Sequence, residues 1–167
     1  REPKPPVGRL TDMLSLITAV ALLVPAASPP ATPPAGRLPH YQAAPLQGGP
    51  PVKLRAHAKG KPVMVHLWAA WCLPCLDELP ELEPLAVRWQ KKGLKVYSVA
   101  LDADPTKPRR VAQEMDVPGV LLHDPTAEAH LTFGVDSVPA TFIYDRRGAL
   151  VWSTVQPVKP TDPSLRK

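Results

Sequence analysis

Residues 63–75 read Val63-Met64-Val65-His66-Leu67-Trp68-Ala69-Ala70-Trp71-Cys72-Leu73-Pro74-Cys75. The first six are short, β-branched and apolar on both faces, the pattern of a central strand buried between two layers of helices. After the turn at Ala69-Ala70-Trp71, the apolar positions Leu76, Leu79, Leu82, Leu85, Ala86 and Trp89 recur at three- and four-residue steps. That spacing predicts a helix stopped by Lys91-Lys92-Gly93. Cys72 and Cys75, the two cysteines of the chain, stand where the strand becomes the helix.

Outward from this junction the pattern continues as alternating strands and helices. Residues 94–101 read as a second strand, 105–115 as a polar helix, 119–122 as a short strand and 126–133 as a short helix. Ala140–Tyr144 and Ala149–Ser153 flank the turn Asp145-Arg146-Arg147-Gly148, which predicts an antiparallel hairpin. The expected fold class is α/β, a mixed sheet with helices on both faces.

Composition separates this body from what precedes it. The chain has 167 residues and 24 prolines, 12 of them within residues 1–60. Those 60 residues also carry seven Lys/Arg against Glu2 and Asp12, whereas residues 61–167 carry thirteen bases and thirteen acids. A nucleic-acid binder would concentrate its bases on the folded domain, so nucleic acid is excluded as the main partner. Residues 13–24 are uncharged and mostly apolar, preceded by Arg1, Lys4 and Arg9. They read as an export signal, or alternatively a membrane anchor, over residues 1–27. The remaining divisions are a Pro-rich linker over 28–56, with a short strand at Val52–Arg55, a folded domain over 57–156 and a flexible tail over 157–167.

Cysteines three apart at the first turn of a helix lie on one face, close enough to bond. Cys72 would meet the free N–H groups of the helix start, which favour its anion; in such motifs a thiol near 8.5 falls to roughly 3.5–7.5. Cys75, one turn further in, would be shielded. Redox chemistry at this pair competes with two other readings. A stapling disulfide would close a loop of only four residues, which constrains the unfolded chain little. A structural zinc site would need two more ligands, and His123 and His130 are seven residues apart.

The segments Val65–Cys75, Glu78-Leu79-Pro80 and Val135–Asp145 with Gly148 together resemble the thioredoxin superfamily. Within it they resemble the exported TlpA-like thiol-disulfide oxidoreductases, which include the cytochrome-c maturation reductases. The resemblance covers about residues 57–153, with residues 105–122 matching an extra helix and strand inserted into the core. It implies that Cys72 attacks, that Cys75 resolves and that Pro74 shapes the turn between them. It further implies that Pro139 is cis beside the pair, that Trp71 and the Val138 backbone meet a substrate strand, and that Glu78 moves protons. Without the resemblance, Val138-Pro139 reads as an ordinary loop and Glu78 as a solvated helix carboxylate beside Asp77 and Glu81.

Two departures stand out. His66 occupies a position that is usually Asp or Asn in the family, where it could accept a proton from Cys75; the alternative is a neutral core histidine satisfied by backbone. The usual closing helix is replaced by a stretch with Pro157, Pro160 and Pro163, so the last helix is expected to be short or absent. The implied function is reduction of disulfides in client proteins outside the cytoplasm, without metal or organic cofactor, using electrons from a membrane thiol donor. A copper-binding or metallochaperone module of the same fold, a thiol oxidase and a peroxide-reducing redoxin are the rivals.

Overall fold

A computed structural model describes residues 36–166 and orders them as follows. The chain runs β1 (Gln42–Pro45), β2 (Val52–Lys53), α1 (Leu54–Ala58), β3 (Val63–Trp68), α2 (Leu73–Lys91) and β4 (Lys95–Ala100). It continues through α3 (Thr106–Glu114), β5 (Val120–His123), α4 (Glu128–Phe133), β6 (Ala140–Tyr144) and β7 (Leu150–Thr154) to a 3-10 turn at Pro163–Arg166. The seven strands form one sheet in the order β2-β1-β5-β4-β3-β6-β7. β3, β4 and β5 are parallel neighbours, while β6 pairs antiparallel with β3 and β7 antiparallel with β6.

β3 is buried at all six positions, as its uninterrupted apolar run requires of a strand covered on both faces. Because side chains alternate across a strand, Val63, Val65 and Leu67 enter one core layer with Leu54 and Ala58 of α1 and Ala129 and Phe133 of α4. Met64 and Trp68 enter the other, with Leu79, Leu82, Leu85 and Ala86 of α2 and Ala112 of α3. The mixed sheet with helices on both faces is therefore present, and α3 and β5 occupy the place of the expected inserted helix and strand. Pro80 and Pro84 lie inside α2. Both sit on its exposed face, where carbonyls freed by the missing N–H groups can meet water. Gly119 has φ +86, and a Cβ there would come within 2.4 Å of the Val96 carbonyl oxygen, so no larger residue fits between β4 and β5.

The division of the chain needs two corrections. Residues 36–56 are not a tether: Leu38, Tyr41, Ala43, Leu46 and Leu54 are buried. β1 pairs with β5 and β2, and Arg37 bridges to Ala149 just before β7. The predicted strand at Val52–Arg55 is a two-residue strand that passes directly into α1. These elements are two to five residues long, with Gly48, Gly49, Pro50 and Pro51 parting the first strand from the second, and are too short for any periodicity to register. Nor is the segment after residue 156 a free tail, because Val158 is buried and packs in the α2-side layer. The signal or anchor expected over residues 1–27 lies outside the described residues. Among the described residues no helix is long and apolar enough to cross a membrane.

The side chain of Leu46 is 1% exposed, so Leu46→Ala should lower unfolding free energy by about 2–5 kcal/mol. Urea denaturation reads this directly; a residue in a loose linker would show no change.

Candidate active site

The loop between β3 and α2 is fixed before the cysteines are reached. The Ala70 N–H donates to the Asp102 carboxylate, 3.0 Å from Oδ2 and 3.3 Å from Oδ1, and the Cys72 N–H donates to the Ala69 carbonyl. Cys72 is then the N-cap of α2, with extended backbone, and its Sγ accepts the Cys75 N–H at 3.2 Å. Pro74 falls in the first turn, where its missing N–H costs no helical hydrogen bond. Cys72 and Cys75 are joined by a disulfide with Cα atoms 5.2 Å apart. The helix start offers Cys72 the donors and positive dipole end that stabilise a sulfur anion once the bond is opened.

Access to the two sulfurs differs. Cys75 is fully buried and Cys72 retains a sliver of exposure. The flanking Trp71 and Leu73 are 63% and 72% exposed, forming an apolar lip beside Cys72. On the other side lies the loop before β6. The Val138–Pro139 bond is cis, and the Val138 carbonyl oxygen is 3.6 Å from Cys72 Sγ. The loop that carries Trp71, Cys72 and Pro74 thus meets the loop that carries Val138 and Pro139 at one end of the sheet.

Beneath the pair are the two remaining predicted site residues. His66 and Thr141 are directly opposed on β3 and β6, and His66 Nδ1 lies 3.1 Å from Thr141 Oγ1. Both belong to the positions of their strands that face α2. Glu78, one turn beyond Cys75, is buried rather than solvated, and its Oε2 accepts the Val158 N–H. Its Oε1 faces His66 Nε2 at 3.6 Å, and neither of these two atoms has a hydrogen-bond partner. Burial lowers the imidazole from 6.5 to about 3. It pushes the carboxyl up to about 7, against a smaller downward effect of the Val158 N–H. His66 is therefore neutral near pH 7, but a threonine side chain holds it rather than the backbone. With so low a proton affinity it is a poor acceptor for the Cys75 proton, whereas the carboxyl is matched to that task.

Three contributors were not found from sequence: Asp102, Thr141 and Val158. Asp102 ends an apolar strand, a signal that could have been used. Thr141 and Val158 carry none, because their roles arise only from strand register and from the return of the chain end. Among the described residues no group of three or more His, Cys, Asp or Glu side chains could hold a metal ion.

The profile of the AhpC/TSA family matches residues 35–153. The chain belongs to that family. It is 32% identical over 95 residues to the thiol-disulfide oxidoreductase ResA of Bacillus thuringiensis subsp. konkukian, covering 56% of this chain and 54% of that one. It is also 32% identical over 97 residues to the thiol:disulfide interchange protein DsbE of Pseudomonas fluorescens biotype C, covering 58% and 52%. The chain thus spans about half the length of the curated relatives it matches. Among solved structures, a thioredoxin-family thiol:disulfide interchange protein of Chlorobium tepidum superposes with a TM-score of 0.65 at 21% identity, covering 84% of this chain and 97% of its own. That likeness establishes the thioredoxin-like fold of this AhpC/TSA member.

A carboxyl raised by folding contributes stability that is complete below its ordinary value of 4.5 and is lost as pH rises through about 7. Glu78→Gln removes that titration. The stability of the native protein relative to this variant should fall by on the order of 2 kcal/mol between pH 4.5 and pH 8. Urea midpoints at the two pH values read the difference, and parallel behaviour would contradict the raised carboxyl.

Proposed function

We propose that this protein is a thiol-disulfide oxidoreductase that reduces disulfides of client proteins outside the cytoplasm. The observation that carries the reading is the cysteine pair at the start of α2, with the marginally accessible Cys72 Sγ beside the Val138 carbonyl and Cys75 sealed beneath. The names of the two curated relatives support the same activity, and the uncharged apolar stretch at residues 13–24 supports export.

In the reaction, the Cys72 thiolate attacks one sulfur of a client disulfide, and the client's other sulfur leaves as a thiolate that takes a proton. The client is then bonded to Cys72. Cys75 loses its proton to the Glu78 carboxylate and attacks Cys72 Sγ, releasing the second client thiolate. Two electrons have passed to the client, and the pair is left as the disulfide seen here. A thiol donor at the membrane returns it to the dithiol. Trp71 and Leu73 offer an apolar lip for the client, while the Val138 backbone offers a hydrogen-bonding edge. No metal or organic cofactor enters these steps.

Reduction of insulin disulfides by the purified protein tests the proposal. Cys72→Ser should abolish turnover, and Cys75→Ser should accumulate a mixed disulfide visible on a non-reducing gel. Turnover that survives Cys72→Ser would end it. A reductase also predicts a couple nearer the thioredoxin end of the scale, about −270 mV, than the strongly oxidising end, about −120 mV. Equilibration with glutathione measures which.

A further inference from the structure

The unpartnered atoms beneath the cysteines point to a role for His66 distinct from taking the Cys75 proton itself. His66 Nε2 and Glu78 Oε1 are both buried, both lack a hydrogen-bond partner and face each other at 3.6 Å, a few tenths of an ångström beyond bonding distance. The other end of each group is engaged, His66 Nδ1 with the Thr141 hydroxyl and Glu78 Oε2 with the Val158 N–H. A buried polar atom left unpaired forfeits its hydration with nothing in return, so two that face each other gain by closing the gap. We propose that His66 is a positioning residue for Glu78, whose neutral imidazole changes tautomer as the carboxyl gains or loses its proton. The inference rests on the reading of Glu78 as the group that takes the Cys75 proton.

The chemistry follows from which atoms can donate. The Val158 N–H occupies Oε2 as a donor, so the proton of the acid form belongs on Oε1. There it must meet a bare Nε2, which places the imidazole proton on Nδ1, donating to Thr141 Oγ1. When the carboxyl is ionised, Oε1 wants a donor. The imidazole then carries its proton on Nε2, and the Thr141 hydroxyl, able to donate or accept, turns to donate to Nδ1. The pair therefore holds two protons in one state and one in the other. The additional proton is the one the Cys75 thiol gives up on becoming a thiolate. His66 stays uncharged throughout, in keeping with the burial that lowers its proton affinity.

The groups bonded to this pair come from two further elements, the Thr141 hydroxyl on β6 and the Val158 amide after β7, with Cys75 one turn before Glu78 on α2. Both forms of the carboxyl are hydrogen-bonded in this scheme, but the bond from Nε2–H to the ionised Oε1 is charge-assisted and the stronger of the two, so His66 lowers the Glu78 pKa relative to a site without it. Thr141, two residues beyond Pro139, ties the same imidazole to the strand that follows the cis bond.

Nitrogen and carbon NMR of the full chain in the disulfide form tests this without any enzymatic assay. Between pH 5 and pH 9 the protonated-nitrogen signature of the His66 ring should pass from Nδ1 to Nε2, with the same midpoint as the Glu78 carboxyl carbon. In Glu78→Gln the ring should hold one tautomer across that range. In His66→Phe the carboxyl midpoint and the acid limb of the disulfide-reduction profile should both move up by about one pH unit, a roughly tenfold rate loss on that limb. His66→Gln, which can place an amide near Oε1, should recover part of the shift. A His66 tautomer that stays constant while Glu78 titrates would overturn the inference, as would a carboxyl midpoint unchanged in His66→Phe. If the tautomer tracks Glu78 but the protein reduces no disulfide, the pairing stands and the proposed activity falls. If it reduces disulfides with an unresponsive tautomer, the reverse holds.

Discussion

A polar side chain on a strand buried from both sides sets the terms for everything around it. His66 lies on the α2 face of β3 between Met64 and Trp68, in a layer built mainly of leucine, alanine, valine and the cysteines. Burying such a group without partners costs several kcal/mol in an apolar layer. Its tolerance depends on two other elements bringing polar atoms to it: β6, which opposes Thr141 in register, and α2, which turns Glu78 inward. The helix face that presents Glu78 to the sheet also presents Cys75 one turn earlier and Leu79 and Leu82 beyond. The inward turn of Glu78 and the burial of Cys75 are therefore one choice of helix rotation, not two.

The end of the chain completes that choice in an unusual way. A closing amphipathic helix would cover the sheet with a continuous apolar stripe, but the prolines after residue 156 forbid one. An irregular segment instead delivers the buried Val158, together with its backbone N–H, to the carboxyl of Glu78 across 80 residues of sequence. A regular helix could not spare that amide, since its interior N–H groups are bonded within the helix. The irregular path after β7 and the capture of Oε2 are therefore physically connected.

At the mouth of α2 electrostatics takes over from packing. The N-terminal N–H groups and dipole act on Cys72, and the Asp102 carboxylate holds the preceding loop through the Ala70 amide. One short segment thus offers a sulfur that can carry charge at the rim and a second sealed where water does not reach, with a carboxyl that burial pushes up to about 7 one turn beyond it.

How much of this could be read in advance depended on the range of the interactions involved. β3, α2, the crossover strands and the hairpin were legible because each advertises itself through residues a few positions apart: apolar runs, three- and four-residue spacing, Asp145 and Gly148 at a turn. The cysteine pair was legible for the same reason. The segment from Arg37 through α1 was not, since it is anchored by distant partners, such as His123 for Ala44 of β1, Asp124 for Tyr41 and Ala149 for Arg37. His66 and Glu78 could be picked out singly but not joined. The sequence alone determined which residues alternate, cap and bond locally, because those properties are set within one turn or one pleat. Strand register, helix rotation and the path of the chain end decided that imidazole, hydroxyl, carboxyl and amide meet under the disulfide, because no local rule links positions 66, 78, 141 and 158.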